Sequence, residues 1–188
     1  MSHSAETPKQ AIKTIVAFVI VLLGAFYYEL PNLGYTVPTP KVENVIGTFY
    51  KVTKVIDGDT IQIEMNGNLE KVRLIGINTP ETVDPRRPVE CFGKEASKRM
   101  KDLLSGQIVR LEYDDSQGIR DTYDRILAYV YLEDNQMINR KMIAEGYAYE
   151  YTYMAPYKYQ KEFRGLQNFA RTNQYGLWSL GSCNGKKN

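Results

Sequence analysis

An Asn66-Gly67 pair sits between two stretches in which apolar and polar residues alternate, and this hairpin signal restricts the chain's folds more than any other feature. Thr60–Met65 alternates cleanly before it, and a second strand is predicted after it at Glu70–Ile77. A period of two places successive side chains on opposite faces of a sheet, and Asn-Gly readily adopts the positive φ angles of a two-residue turn. Phe49, Val52 and Val55-Ile56 suggest an earlier strand, and Ile108–Tyr113 and Ile126–Leu132 two later ones. Elsewhere the apolar spacing becomes helical. Helices are predicted near Lys94–Leu104, over Met137–Glu145 (stopped at Gly146), and from about Tyr157 to Arg171, behind Pro156. Short strands with helices inserted and appended predict an α+β domain: a five-stranded OB-type β-barrel with three helices.

The barrel pattern occupies 47–180, with a short tail at 181–188. Ahead of it lie a polar tail at 1–11, an apolar segment at 12–28 and a proline-containing linker at 29–46. The apolar segment has two readings, a transmembrane anchor or a signal segment cut after Leu23-Gly24-Ala25. Lys9 and Lys13 lie before its apolar centre and Glu29 follows, which puts the N-terminus in the cytoplasm and the barrel outside the cell membrane on either reading. In that oxidising setting Cys91 and Cys183 are expected to form a disulfide.

The one histidine is His3, in the polar tail outside the barrel pattern. Histidine-based triads, histidine acid–base schemes and His-ligated zinc are therefore excluded, leaving carboxylates, arginines, tyrosines and hard metal ions for chemistry. A net charge of +2 announces no bulk attraction to nucleic acid, so any basic surface must be local.

Two turns rich in oxygen ligands flank the hairpin: Asp57-Gly58-Asp59 and Asn78-Thr79-Pro80-Glu81. Either alone is an ordinary turn. At the ends of adjacent strands they converge, and the Asp59 carboxylate, the Asn78 amide oxygen and the Thr79 carbonyl then suit calcium or magnesium. Arg73 lies in an otherwise apolar strand, and Arg125 just ahead of another. Two planar guanidinium groups beside a cation meet the needs of phosphodiester hydrolysis, whose transition state gathers negative charge on oxygen. Glu81 would orient or deprotonate the attacking water.

Val55–Thr60, Arg73, Thr79-Pro80-Glu81, Phe92–Ala96, Asp121–Arg125 and Gly176–Ser179, taken in order, resemble the staphylococcal nuclease family from about Gly47 to Ser179. The resemblance implies a calcium-dependent enzyme that cuts DNA and RNA at the 5′ P–O bond, leaving 3′-phosphates. It implies Arg73, Glu81 and Arg125 as catalytic residues, Asp59 and the Thr79 carbonyl as calcium ligands, and Tyr123, Tyr151 and Tyr153 beside the nucleotide. The chain departs from the pattern at Asn78, where the family has aspartate, and at Asp124, where it has glycine. The first departure removes a charge from the metal site, so that calcium binds more weakly or another divalent ion serves. The second puts a carboxylate next to Arg125, in a backbone position where aspartate tolerates a left-handed conformation. The alternative to an enzyme is a nuclease-fold module that binds nucleic acid without cutting it.

Overall fold

A computed structural model describes residues 47–82 and 88–186 of the 188-residue chain. The segment at 12–28 and the linker at 29–46 lie outside the described residues. Strands β1 (Phe49–Asp57), β2 (Thr60–Met65), β3 (Asn68–Leu74), β5 (Ile108–Glu112) and β6 (Ile126–Tyr131) close into a barrel in the order β1-β2-β3-β6-β5. The Asn66-Gly67 turn joins β2 to β3, with φ of 53° and 78° at the two residues. Register shifts in β1 between Val52 and Lys54 and between Val55 and Asp57 add the curvature that closure demands. Val52, Ile61, Ile63, Val72, Leu74 and Val130 point inward and are buried.

One parallel pairing decides where the chemistry can gather. Strands β3 and β6 run parallel, with Arg73 beside Leu127. Arg125, one residue ahead of β6, lines the same cavity as Leu127 and Arg73.

Helices α1 (Gly93–Leu104), α2 (Ile138–Ala144) and α3 (Gln160–Thr172) surround the barrel, and a 3₁₀ turn follows at Gly176–Trp178. Met100 and Leu104 of α1, Ile138, Met142 and Ile143 of α2 and Phe163 of α3 are fully buried in one core with the barrel. Tyr129 and Tyr131 lie in that core too, as the apolar run of β6 implies.

Most element ends lie within one or two residues of the sequence reading, and two boundaries differ by more. The strand predicted over Glu70–Ile77 breaks after Leu74, and Ile77–Asn78 (β4) leaves the barrel to pair with Tyr149–Glu150 (β7). The break falls at Gly76, whose φ is +78°, and a Cβ there would stand 2.6 Å from the Tyr157 ring and 2.9 Å from Phe163. Only glycine fits both the backbone and the space. Helix α3 starts at Gln160, and Pro156 lies in the preceding loop, where its carbonyl accepts a hydrogen bond from the Ser116 hydroxyl.

Buried Asn139 fastens these parts together. Its amide donates to the Ile75 carbonyl at 2.8 Å and its oxygen accepts from the Val130 amide at 2.9 Å, tying α2 to the chain just ahead of the Gly76 break. The expected Cys91–Cys183 disulfide is formed across a sequence separation of 92 residues. In the chain-entropy model a loop of that size is stabilised by about 4–5 kcal/mol.

Candidate active site

The β1–β2 turn brings Asp57 and Asp59 against the segment that follows β4. A Cβ on Gly58 would lie 2.7–2.9 Å from the Thr79 side chain, so the absence of one lets the two turns meet. Asp59 accepts from the Thr60 hydroxyl at 3.0 Å through Oδ1, and from the Thr79 amide at 3.0 Å through Oδ2. Arg73 spans the kink between β3 and β4. Its Nη1 donates to the carbonyls of Leu74 and Ile77, both at 2.8 Å, while Nη2 lies 3.1 Å from Asp59 Oδ2 and 3.4 Å from Asn78 Oδ1. One guanidinium nitrogen thus touches both side chains that the sequence nominates as metal ligands, which shows that they converge.

The donors available there are a carboxylate, an amide oxygen and backbone carbonyls. The set suits a hard cation and lacks the imidazole and thiolate ligands that zinc favours. Among the described residues no three His, Cys, Asp or Glu side chains gather in a metal-binding cluster. A cation at Asp59 and Asn78 would therefore face one carboxylate, an amide and a carbonyl, a weak site by charge count.

Glu81 is held from two sides. Its Oε1 accepts the Thr82 amide at 2.8 Å, and the Thr82 hydroxyl donates to Asp57 Oδ1 at 2.7 Å. Burial raises the Asp57 carboxyl above the ordinary aspartate value, against the bonds from Thr82 and Gly58 that favour its charge. On the other side Glu90 Oε2 accepts the Glu81 amide at 3.0 Å, and the Glu90 amide donates to the Glu81 carbonyl at 2.9 Å.

Arg125 is oriented by Asp121, whose Oδ2 accepts from its Nε at 2.8 Å and lies 2.6 Å from its Nη2. Asp121 Oδ1 accepts the Tyr123 and Arg125 amides, both at 3.0 Å, so one carboxylate shapes the turn and aims the guanidinium. Burial opposes the Asp121 charge but is outweighed by these bonds, which hold its carboxyl below the usual aspartate range. Asp124 has φ of +61°, the left-handed conformation anticipated for it. Its carboxylate pairs with Arg120 at 3.5 Å, and its carbonyl accepts from the same group at 2.7 Å. The carboxylate that grips Arg125 is Asp121, two positions before Tyr123.

A cavity of about 630 Å³ opens over this arrangement, lined by Arg73, Asn78, Arg125, Tyr123, Tyr151 and Tyr153 among others. Tyr123 and Tyr153 are 79% and 71% exposed, too open to be core residues. The Tyr123 ring lies 5.4 Å from the Arg125 guanidinium, and the Tyr151 and Tyr153 ring centres are 6.3 Å apart. Asp59, Thr79 and Glu81 do not line the cavity itself. Asp59 reaches it through Arg73, and Thr79 and Glu81 follow Asn78 along the chain.

The sequence reading quotes Asp57 and Asp121 within motifs but gives them no role, and it does not single out Thr82, Glu90 or the exposed Met154 at the cavity rim. Asp121 carried a usable signal, because an aspartate four residues before an arginine in a tight turn can reach it. Glu90 carried none, since its partner is brought to it only by the fold.

The family model described as "Staphylococcal nuclease homologue" matches residues 71–180. The chain is 41% identical over 165 residues to the thermonuclease of Staphylococcus hyicus, covering 88% of this chain and 94% of that protein. It is 46% identical over 135 residues to the thermonuclease of Staphylococcus intermedius, covering 72% and 79% respectively. It is also 38% identical over 127 residues to an SPbeta prophage-derived endonuclease of Bacillus subtilis, covering 67% of this chain and 42% of that one. Together with the barrel and its three helices, these matches establish that the chain belongs to the staphylococcal nuclease family and is a nuclease of the hydrolase class.

Proposed function

We propose that the chain hydrolyses phosphodiester bonds of DNA and RNA in a calcium-dependent reaction, leaving 3′-phosphate ends. The observation that carries this reading is the pair Arg73 and Arg125 lining one cavity, with the Asp59–Asn78 oxygen donors in contact with Arg73. The two guanidinium groups bind the scissile phosphate and neutralise the charge that builds on its oxygens as it becomes pentacoordinate. Glu81 accepts a proton from water as the water oxygen bonds to phosphorus. The 5′-oxygen leaves with the bonding pair and takes up a proton, so the products are a 3′-phosphate and a 5′-hydroxyl. Tyr123, Tyr151 and Tyr153 offer faces on which bases of any sequence stack, consistent with weak sequence preference.

Asp59, Asn78 and the Thr79 carbonyl would hold the calcium ion, which when bound polarises a phosphoryl oxygen as a Lewis acid. Another divalent ion of similar hardness can serve because Asn78 brings no charge. We place the domain outside the cell membrane, tethered through residues 12–28 or secreted after their removal. The placement rests on the sequence of that segment. Among the described residues no helix is long and apolar enough to cross a membrane.

The test is Glu81→Gln. It lowers the cleavage rate by about 10²–10⁴-fold while leaving single-stranded DNA binding within twofold of the parent, the split expected of a residue acting on the water. An unchanged cleavage rate would remove Glu81 from the mechanism.

A further inference from the structure

The carboxylate of Glu90 is bound to the backbone of the proposed catalytic residue, and the disulfide begins at the very next residue. Glu81 and Glu90 exchange two hydrogen bonds: the Glu81 amide donates to Glu90 Oε2 at 3.0 Å, and the Glu90 amide donates to the Glu81 carbonyl at 2.9 Å. The segment that carries Glu90 is itself seated against the Glu81 segment. A Cβ on Gly93 would meet Thr82 Cγ2 at 2.7 Å, the Glu81 carbonyl oxygen at 3.0 Å and that of Pro80 at 3.1 Å. The Gly93 amide in turn donates to the Glu90 carbonyl at 3.0 Å, closing a tight turn around Cys91 and Phe92.

Cys91 fixes that turn to the C-terminal segment through Cys183. The far end is firmly placed. The Gly185 amide donates to the Leu177 carbonyl at 2.9 Å, the Ser182 hydroxyl to the Gly176 carbonyl at 2.8 Å, and the Leu177 amide to the Gly146 carbonyl at 2.9 Å. Gly146 follows helix α2, so the bond links the Glu81 cradle to the helical side of the fold. On the opposite side the Thr82 amide donates to the Glu81 carboxylate, and the Thr82 hydroxyl is itself fixed by donating to Asp57.

We infer that Glu90 is a positioning residue for Glu81, and that the Cys91–Cys183 disulfide holds Glu90 in place from outside the active site. The inference rests on Glu81 acting as proposed above, and it adds one residue and one disulfide to that mechanism. Small displacements of a catalytic group carry large rate penalties, because the reacting atoms must be held near attack distance.

The test uses the full chain, with kcat and KM measured on single-stranded DNA in calcium, and amide exchange of the 78–82 backbone followed by mass spectrometry. Glu90→Ala lowers kcat about tenfold, with KM within about twofold, and speeds exchange at the Glu81 amide. Glu90→Gln, which keeps an acceptor oxygen, restores kcat to within about threefold of the parent. Removing the disulfide with Cys91→Ser and Cys183→Ser lowers kcat in the parent and adds nothing in the Glu90→Ala background, the non-additivity of residues acting as one unit. Parental kcat and exchange in Glu90→Ala would overturn the positioning role, and an equal loss on removing the disulfide in both backgrounds would overturn the link to Cys91. If the parent itself does not cleave, the proposed reaction fails separately, and amide exchange alone decides whether Glu90 and the disulfide order Glu81.

Discussion

Replacing Asn139 by leucine tests the fold where it meets the site. Asn139 is fully buried on α2, and its amide group serves two backbone groups that have no exit to water, the Val130 N–H at 2.9 Å and the Ile75 carbonyl at 2.8 Å. A third contact, to the Ala128 carbonyl at 3.5 Å, is at the limit of a hydrogen bond and is discounted. Leucine has the same branching and the same number of heavy atoms, so no cavity opens; its bulkier methyl groups add some overpacking to the polar loss, which dominates. Each backbone group left buried without a partner costs about 1–3 kcal/mol, which gives about 2–6 kcal/mol for the pair. A loss near the middle, ~4 kcal/mol, is a large share of the 5–15 kcal/mol typical of a domain. With a urea slope of about 2 kcal/mol/M, it moves the unfolding midpoint down by about 2 M. The assay is urea unfolding followed by tryptophan fluorescence and circular dichroism, with coincident curves as the check on two-state behaviour. A midpoint shift below about 0.5 M at unchanged slope would refute the bridge between α2 and the barrel.

Two further outcomes follow from the site and its supports. Asn78→Asp returns a formal charge to the proposed metal site and lowers the calcium concentration for half-saturation at least about tenfold, ~1.4 kcal/mol, as read by isothermal titration; an unaltered titration would show that Asn78 does not face the ion. Asp114 is partly desolvated, but the Lys158 amide and the Tyr129 and Ser116 hydroxyls, with the Ser116 amide, hold its carboxyl below the ordinary value of 3.8. Its folded value being the lower one, its contribution to stability is complete above the unfolded value and is lost as the pH falls through the folded value. Asp114→Ala should therefore flatten the fall in stability below about pH 4, and an equally steep acid limb in the variant would contradict this.

The barrel was legible because its evidence is local. Asn66-Gly67 and the alternation on either side fix one hairpin, and the apolar run ahead of Leu132 fixes another strand without help from distant residues. The break at Gly76 was not legible, since its cause is the approach of Tyr157 and Phe163 from about eighty positions further on. Arg73 and Arg125 were readable as charged residues in apolar surroundings, and the parallel pairing of β3 with β6 explains how they come together. Asp124 stood out in sequence as the carboxylate next to Arg125, yet its left-handed backbone goes with pairing to Arg120 and leaves Arg125 to Asp121. Asn139 reads as one polar residue in the short helix Ile138–Ala144, and nothing local says that its amide points at the barrel instead of water. Glu90 was hidden for the same reason: a carboxylate beside a cysteine becomes a support for Glu81 only once the chain has folded back.

The most direct measurement is cleavage of single-stranded DNA by the full chain, with calcium titrated from excess chelator into the millimolar range and the product ends identified. Release of 3′-phosphate ends that rises with calcium and is lost in Glu81→Gln is the predicted result. Cleavage that is indifferent to calcium, magnesium and manganese, or that leaves 5′-phosphates, would contradict the proposed chemistry.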